Sequence, residues 1–309
     1  MIMRIGLTRK ALVPAAFMAM LAASSMPASA AGNDCDRQCL KKIADLYFDA
    51  LAQHQPSLLP ASPNVKFTEN GRVLKLGEGL WKNAGKPAYR MELFDPMQGG
   101  IGIEAVVPDG AVPVVMALRL KVENQRVTEV ESVLIRKDEK SVMSQPENLT
   151  RPNFFWTRTI RVPERNSRYE LVAATEAYWR AFESEGTPEY IKAPLLPDTE
   201  RFENGVHTTN VDINGFPAAT ATEQFDKGGF TGSRIYDRRY PVVDEEVGAV
   251  LSMVRFGRQP NAPARPAPAG ADGPRGDAFV GEFFAITQGK IREIHAVFVG
   301  TKEQLPTPW

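Results

Sequence analysis

Two stretches of the chain, one in each half, repeat the same order of hydrophobic and polar positions. Residues 39–51 and residues 171–182 carry apolar side chains at helical spacing. Each stretch ends in an aromatic pair followed by further apolar residues and then a proline-containing segment. This spacing predicts a leading amphipathic helix in each half.

After the helix, each half has an Asn-Gly step and a closing pair of alternating segments. FTENG begins at Phe67 and FENG begins at Phe202, and Asn-Gly is typical of a tight turn with positive φ. Residues 114–137 align with residues 279–302, and both alternate with period two around a polar turn. The alternation predicts a final hairpin in each half.

Helices followed by a run of strands indicate the α+β class. We predict two tandem cone-shaped domains, each with N-terminal helices packed on one face of a strongly curved antiparallel sheet. The domain boundaries follow from the repeat and from proline-rich stretches: a leader (1–30), a first domain (31–137), a linker (138–168) and a second domain (169–309).

Two segments inside this plan stand out. The linker contains Phe154, Phe155 and Trp156, and these aromatics predict that it packs against a domain. Residues 257–277 are rich in Pro, Ala and Gly and lack large apolar side chains. This composition predicts a disordered loop, either a tolerated insertion or a flap over a pocket.

The first thirty residues have the pattern of a secretory signal peptide. Arg4, Arg9 and Lys10 precede an apolar run, and Ala28 and Ala30 provide the small residues of a cleavage site. A membrane anchor is the alternative. With cleavage, we expect a periplasmic or secreted protein without a membrane segment, since no later stretch approaches about 20 apolar residues.

Composition narrows the function classes. The 309 residues carry 37 Lys and Arg and 37 Asp and Glu, so the formal net charge is zero. This balance argues against nucleic-acid binding through bulk electrostatics. The sequence has no G-x-S-x-G, P-loop, dinucleotide or H-E-x-x-H motif, so serine-triad hydrolysis, phosphoryl transfer and nicotinamide chemistry are unsupported.

The chain has two cysteines, Cys35 and Cys39. Export favours a disulfide between them, and their spacing fits a helix start. Two free thiols, or metal or redox chemistry, are the alternatives. Three histidines in the whole chain provide few partners for a metal site.

The helix endings YFDAL and YWRAF, the F-x-E-N-G turn and the closing hairpin resemble the nuclear transport factor two-like superfamily. That group includes SnoaL-like polyketide cyclases and ketosteroid isomerase, and these pieces also resemble an uncharacterised secreted family within it. The resemblance implies a cone with a mainly apolar pocket, acid–base chemistry, and no metal or organic cofactor. It does not settle function, because the superfamily hosts several activities and pure binding modules.

Candidate proton carriers lie mainly in the second half. His295 shares a face of the last predicted strand with Ile291 and Glu293. It is a general acid or base if that face lines the cone, and a solvent or interface residue if it does not. Glu282 lies among apolar residues, where burial would raise its pKa. In the first half Glu131 takes the place of His295, and Glu104 and Tyr89 are the possible pocket groups.

A polar stretch supplies further candidates. Asp237 and Tyr240 are predicted to enter the pocket as catalytic groups, with Arg239 binding an anionic substrate; salt bridges on a strand edge are the alternative.

Three more residues are substrate-binding candidates. His207 follows the second Asn-Gly turn. Tyr178 and Trp179 are the aromatic pair of the second helix, and the alternative is that they only pack in the core.

These residues predict a cofactor-independent lyase, dehydratase or isomerase that acts on a small apolar or aromatic molecule. The alternative is a non-catalytic ligand-binding or protein-interaction module. The two domains are expected to pack through their sheets as a pseudo-dimer, which is compatible with a monomer in solution.

Overall fold

The structure is a computed structural model that describes residues 34–137, 143–213, 217–262, 277–301 and 307–309. The predicted leader and residues 263–276 of the predicted loop lie outside the described residues.

The first half has one helix followed by six strands. They are α1 (Arg37–Ala52), β1 (Ala61–Glu69), β2 (Arg72–Leu74), β3 (Tyr89–Asp95), β4 (Gly100–Asp109), β5 (Val112–Glu123) and β6 (Arg126–Arg136).

A short helix, α2 (Phe154–Thr157), lies between the halves. Of the three aromatic residues in this segment, only Trp156 is fully buried, whereas Phe154 is largely exposed. The linker therefore packs through the Trp156 ring and also through Pro146 and Leu149, which are buried as well.

The second half repeats the order and adds one helix. Its elements are α3 (Arg168–Ser184), β7 (Leu195–Glu203), β8 (Val206–His207), α4 (Ala221–Asp226), β9 (Ser233–Asp244), β10 (Ala249–Arg258), β11 (Ala278–Thr287) and β12 (Lys290–Gly300).

Each half forms its own six-stranded sheet, and the strand orders are the same: β2-β1-β6-β5-β4-β3 and β8-β7-β12-β11-β10-β9. The α+β class with two tandem units is confirmed. The sheets are mixed rather than antiparallel, because β1 pairs with β6 and β7 pairs with β12 in parallel. In each half the chain crosses from one edge of the sheet to the other after its second strand, from β2 to β3 and from β8 to β9. The last strand therefore returns beside the first strand and runs in the same direction.

The repeated Asn-Gly turns connect the first two strands of each sheet and are hydrogen-bonded to its last strand. Asn70 and Asn204 both have a φ of 51°. The Asn70 side chain accepts from Leu134 N at 2.8 Å and donates to Leu134 O at 3.1 Å. Asn204 makes the same pair of bonds to Phe298, at 2.9 and 3.2 Å. The repeated motif thus has a structural role, since it fixes the register of β1 on β6 and of β7 on β12.

The first helix begins with two local devices. The Asp36 side chain accepts from Cys39 N at 2.8 Å, which caps the helix. Cys35 and Cys39 form a disulfide with their Cα atoms 5.2 Å apart. The disulfide reading of the two cysteines is confirmed.

Buried apolar residues form three clusters. One lies between α1 and the first sheet, and a second lies between α3 and the second sheet. The third contains Met91, Val115, Leu251 and Phe283, and it joins the two sheets face to face. Each sheet is therefore covered by its own helix on one face and by the other sheet on the opposite face.

Two buried aspartates connect the halves in a reciprocal way. Asp95 accepts from Val243 N at 3.0 Å and pairs with Arg168 at 2.7 Å. Asp244, at the equivalent position of the second sheet, accepts from Phe94 N at 2.9 Å.

The second aspartate also has the equivalent ion pair. Asp244 pairs with Arg37 at 2.9 Å. Arg37 and Arg168 are the first residues of α1 and α3. Each half thus provides a buried aspartate that accepts from a backbone N–H of the other half and pairs with the first arginine of the other half's helix.

No helix in the described part of the chain is long and apolar enough to cross a membrane.

Candidate active site in the hollow of the second half

The hollow of the second half is the space between α3 and the face of the second sheet that α3 covers. Ser167 caps α3 and exchanges hydrogen bonds with Glu170 in a capping box. The helix then presents Tyr178 and Trp179 to the sheet, and both are fully buried. The Trp179 indole N–H donates to Ser252 Oγ at 3.0 Å, which orients the ring.

Tyr178 reaches one carboxyl group in the hollow. Its hydroxyl donates to Glu282 Oε1 at 3.2 Å. Alternation along β11 puts Glu282 on the same face as Val280 and Phe284, which pack against α3 in the apolar cluster. The structure therefore brings together two of the residues that the sequence singled out.

Arg201 lies on β7, which β12 separates from the strand of Glu282, and it completes this group. It pairs in register with Ile294 on β12 and is buried. Its Nε donates to Thr208 Oγ1 at 3.4 Å, and its terminal nitrogen bonds to the Gln224 side chain of α4. We call Tyr178, Arg201 and Glu282 the hollow triad.

Burial dominates the electrostatics of the hollow triad. It raises the pKa of Glu282 to about 8, although Arg201 opposes this shift. It also raises the pKa of Tyr178 well above that of a free phenol. Burial alone would lower the pKa of Arg201, but Glu203, Tyr178 and Glu282 together raise it. The site therefore combines a neutral phenol, a cation and a carboxyl group that titrates near neutrality.

The first half has no such triad, and the matching strand registers show which residues replace it. Asn70 N donates to Ser132 O at 2.8 Å, and Asn204 N donates to Ala296 O at 2.7 Å, so these positions are equivalent. Ser132 pairs with Leu118 where Ala296 pairs with Glu282.

The same registers identify the other two replacements. Phe67 pairs with Val130 where Arg201 pairs with Ile294. Tyr47 lies ten residues after Arg37, as Tyr178 lies ten after Arg168. Leucine and phenylalanine thus replace the glutamate and the arginine in the first hollow.

His295 lies outside the hollow. Its Nδ1 is 2.7 Å from Glu104 Oε2 of the first half, and its Nε2 is 3.0 Å from Glu293 Oε1. The Tyr89 hydroxyl donates to Glu104 at 3.1 Å, and the Trp156 indole donates to Glu293 at 2.6 Å. His295 therefore occupies the interface face that the sequence left open as an alternative.

The strand geometry explains this position. A register shift lies between Ile291 and Glu293. Ile291 packs on the α3 side, although strict alternation would put it on the same face as His295. Burial alone would lower the pKa of His295, but Glu104 and Glu293 raise it to about 9. The ring is therefore a buried cation that pairs with carboxylates from both halves.

The remaining candidates of the polar stretch lie apart from the hollow triad. Asp237 has a φ of +53° and lies 3.9 Å from Arg255. The Tyr240 hydroxyl bonds to Glu176 on α3.

Arg239 crosses to the first half, where it donates to both oxygens of Glu131 at 2.9 and 2.6 Å. The pairing of β9 with β10 has two register shifts in this region, and Asp237, Arg239 and Tyr240 therefore point to different places.

The His207 side chain also lies away from the hollow triad. Its ring stacks on Phe202 with 4.7 Å between the ring centroids, and it bonds to Glu200. Its location beside the turn follows from the sequence, but it does not contact the hollow triad.

Sequence reasoning missed Arg201 because FTENG and FENG were aligned on their phenylalanines. The observed registers align Phe67 with Arg201 and Thr68 with Phe202. An ungapped comparison of the two turns would have shown an arginine at a core position of the second half.

Within the described ranges, no group of three or more His, Cys, Asp or Glu side chains is arranged to hold a metal ion.

Comparison with protein families gives a match in the second half. Residues 164–298 match a family described as "Domain of unknown function (DUF8021)". Comparison with curated proteins gives no match.

Three of the solved structures that resemble the chain each cover about one third of it. A steroid delta-isomerase from Pseudomonas aeruginosa is 11% identical, covers 33% of this chain and 83% of its own, and has a TM-score of 0.27. A nuclear-transport-factor-two-like protein of unknown function from Cytophaga hutchinsonii is 8% identical, covering 32% and 89%, with a TM-score of 0.26. A de novo designed protein with a curved β-sheet is 16% identical, covering 32% and 88%, with a TM-score of 0.28.

Proposed function

We propose that the second half is a cofactor-independent acid–base enzyme of the lyase, dehydratase or isomerase type. Its site is the hollow triad, with Glu282 as the proton carrier. The observation that carries this proposal is the replacement of Glu282 and Arg201 by Leu118 and Phe67 in the first half. The first half shows that the fold packs an apolar core at these positions, so the buried polar groups are not needed for folding.

The protonation state of Glu282 suits proton transfer. With a pKa of about 8, roughly a tenth of the carboxyl groups are ionised at pH 7. A base with a pKa close to the working pH combines an accessible ionised form with a strong driving force for proton abstraction. Glu282 in its carboxylate form would take a proton from carbon.

Tyr178 and Arg201 would stabilise the charge that develops on the substrate. The neutral phenol can turn its hydroxyl from Glu282 to a developing oxyanion, and the guanidinium adds positive charge in a buried site. Return of the proton to a second carbon gives isomerisation. Its transfer to a leaving hydroxyl gives a double bond and water.

The walls of the hollow favour a flat apolar or aromatic substrate. Phe182, Phe225 and Phe284 surround Tyr178, with ring centroids 4.9 to 5.9 Å from its own. Phe225 belongs to α4, so entry of a substrate would require α4 and the residues beside it to move aside. The substrate would then take the place of the Phe225 ring.

Export belongs to the same proposal. The Cys35–Cys39 disulfide supports an oxidising compartment, and the leader-like composition of residues 1–30 supports a periplasmic or secreted enzyme.

The test is deuterium exchange in D2O, which needs no knowledge of the final product. The protein is incubated with a panel of small aromatic ketones and β-hydroxycarbonyl compounds, and NMR follows deuterium incorporation, double-bond shift or loss of water. We expect turnover of at least one compound, a loss of about 10²-fold or more in Glu282→Gln, and a smaller loss in Tyr178→Phe.

The matched control is Tyr47→Phe, which makes the same change at the equivalent position of the first half. It should leave turnover unchanged. Equal turnover by Glu282→Gln and the unchanged protein would contradict the proposal, as would the absence of exchange in every compound.

A non-catalytic binding or interaction module is the second candidate. The observation that favours it is the close aromatic packing in the hollow, where Phe182, Phe225 and Phe230 contact one another with centroids 4.4 to 4.9 Å apart. Saturable binding of a panel compound without exchange would select this function.

A further inference from the structure

A groove of about 280 Å³ lies where the two halves and the linker meet. Arg37, Arg90 and Phe94 line it from the first half, and Trp156 and Arg158 line it from the linker. Its volume is close to that of small-molecule sites. The groove lies on the opposite side of the second sheet from the hollow triad, and nothing in the proposed reaction uses it.

Two of its three arginines are neutralised. Arg37 pairs with Asp244 at 2.9 Å and with Glu246 at 3.4 Å. Arg90 pairs with Asp45 at 2.8 Å and also with Glu92. These pairs hold both guanidinium groups in place, so neither has to be ordered when a ligand binds.

Arg158 differs from them. Its terminal nitrogen donates to Ile286 O at 3.2 Å and to Thr287 Oγ1 at 2.9 Å, and both acceptors are neutral. Within the described part of the chain, no carboxylate oxygen lies within 4.0 Å of its guanidinium. The neutral acceptors position the group without cancelling its charge.

A second guanidinium, that of Arg292, lies beside Arg158 and is itself paired with Asp198. Arg158 and Arg292 both lie against the Phe155 ring, at 5.2 and 5.0 Å from its centroid. Burial and the charge of Arg292 lower the pKa of Arg158. A half-buried cation that faces another cation and has no anion is an unfavourable arrangement, and an anionic ligand would relieve it.

We propose that this groove binds a small organic carboxylate, with Arg158 as its main charged contact. The planar fork of a guanidinium matches the two oxygens of a carboxylate. Carboxylates balance Arg37 and Arg90, so among the described residues Arg158 is the lining cation whose charge no carboxylate balances. A singly charged anion therefore fits the groove better than a phosphate dianion.

The ligand would contact both halves at once. One wall consists of Arg37 and Phe94 from the first half, and the other consists of Arg158 and Val247. Because binding to the folded state alone stabilises that state, the ligand would raise the melting temperature of the whole protein.

Calorimetric titration with benzoate, and with inorganic phosphate as the comparison anion, tests this site. We expect saturable benzoate binding that weakens by about tenfold to hundredfold in Arg158→Gln. Arg161→Gln is the matched control, because Arg161 lies three residues away, pairs with Glu164, and is exposed. It should bind benzoate as the unchanged protein does.

Each other outcome overturns the proposal. Unchanged benzoate affinity in Arg158→Gln would place the anion elsewhere, and tighter binding of phosphate than of benzoate would refute the singly charged carboxylate. Failure to bind benzoate would refute the site itself. Because Glu282→Gln leaves this groove intact, that variant should keep benzoate binding even if it loses turnover.

Discussion

At Glu282 the surrounding residues, rather than the residue type, create the chemistry. The apolar neighbours of Glu282 in the sequence made it a candidate for a buried carboxyl group with a raised pKa. Its partner Tyr178 also followed from the sequence, because the helical spacing put it on the buried face. Arg201 did not, because a comparison of the two turns from their phenylalanines matches Phe67 with Phe202 instead of with Arg201.

His295 shows the limit of sequence reasoning at this scale. Its strand was predictable, but its burial was not, because its partner Glu104 lies 191 residues away on the other sheet. A contact of this kind exists only after the two sheets pack, so the sequence left the pocket, the solvent and the interface all open for His295.

His295 should make stability depend on pH. Its folded-state pKa of about 9 lies above the ordinary value of 6.5. Its stabilising contribution is therefore complete below about pH 6.5 and is lost as pH rises through 9. We expect His295→Gln to lower the free energy of unfolding at pH 6 by about 3 kcal/mol, and we expect this difference to shrink by pH 10.

Urea unfolding across this pH range measures the effect. His207→Gln is the control, because His207 pairs with Glu200 near the surface, and such pairs contribute at most about 1 kcal/mol. A difference between His295→Gln and the unchanged protein that is constant with pH would contradict the account.

The sequence predicted the position of the repeated turn in each half, but it did not predict what the turn does. Asn-Gly indicated a tight turn in each half, but not the bonds between its side chain and the last strand. Helix α4 was not predicted at all, because its six residues are too few to establish a periodic pattern. The parallel pairing of first and last strands was also beyond local signals, which do not encode strand direction.

Asn204→Ala should destabilise the second sheet. It removes both side-chain bonds to Phe298 and places alanine at positive φ, so we expect a loss of about 2 kcal/mol or more. Asn70→Ala should cost a similar amount, because Asn70 makes the same bonds to Leu134.

Asn124→Ala separates the two contributions, because Asn124 has a positive φ in an exposed hairpin turn. Urea unfolding should show a smaller loss for this variant, of about 1 kcal/mol. Equal losses for all three variants would show that the bonds to the last strand contribute nothing.

Across the whole molecule, each half extends a segment onto the other. After β6, the linker places Trp156 against His295 of the second half, with 5.4 Å between the ring centroids. After β12, the Trp309 indole donates to Thr68 Oγ1 of the first half at 3.1 Å. Together with the reciprocal aspartates, these exchanged contacts make the two halves interdependent.

Asp95→Ala and Asp244→Ala should therefore destabilise the protein by similar amounts. Each removes a buried carboxylate and leaves an arginine and a backbone N–H of the other half without it, at a cost of about 3 kcal/mol or more. Asp45→Ala, at an exposed ion pair, should cost less than about 1 kcal/mol. Urea unfolding with a large loss for only one buried aspartate would contradict the exchanged arrangement.

The same packing bears on assembly. Because the two sheets already cover each other through a shared apolar cluster, we expect the protein to be a monomer in solution. Light scattering coupled to size-exclusion chromatography should give the mass of one chain. A mass of two chains would show that another surface associates.

The central claim is that the hollow of the second half contains a carboxyl group able to exchange a proton near neutral pH. NMR titration with ¹³C-labelled glutamate side chains measures this without a substrate. We predict one carboxyl that titrates near pH 8 and whose signal is missing in Glu282→Gln. A spectrum in which the Glu282 carboxyl titrates near its ordinary pKa of 4.5 would contradict the account.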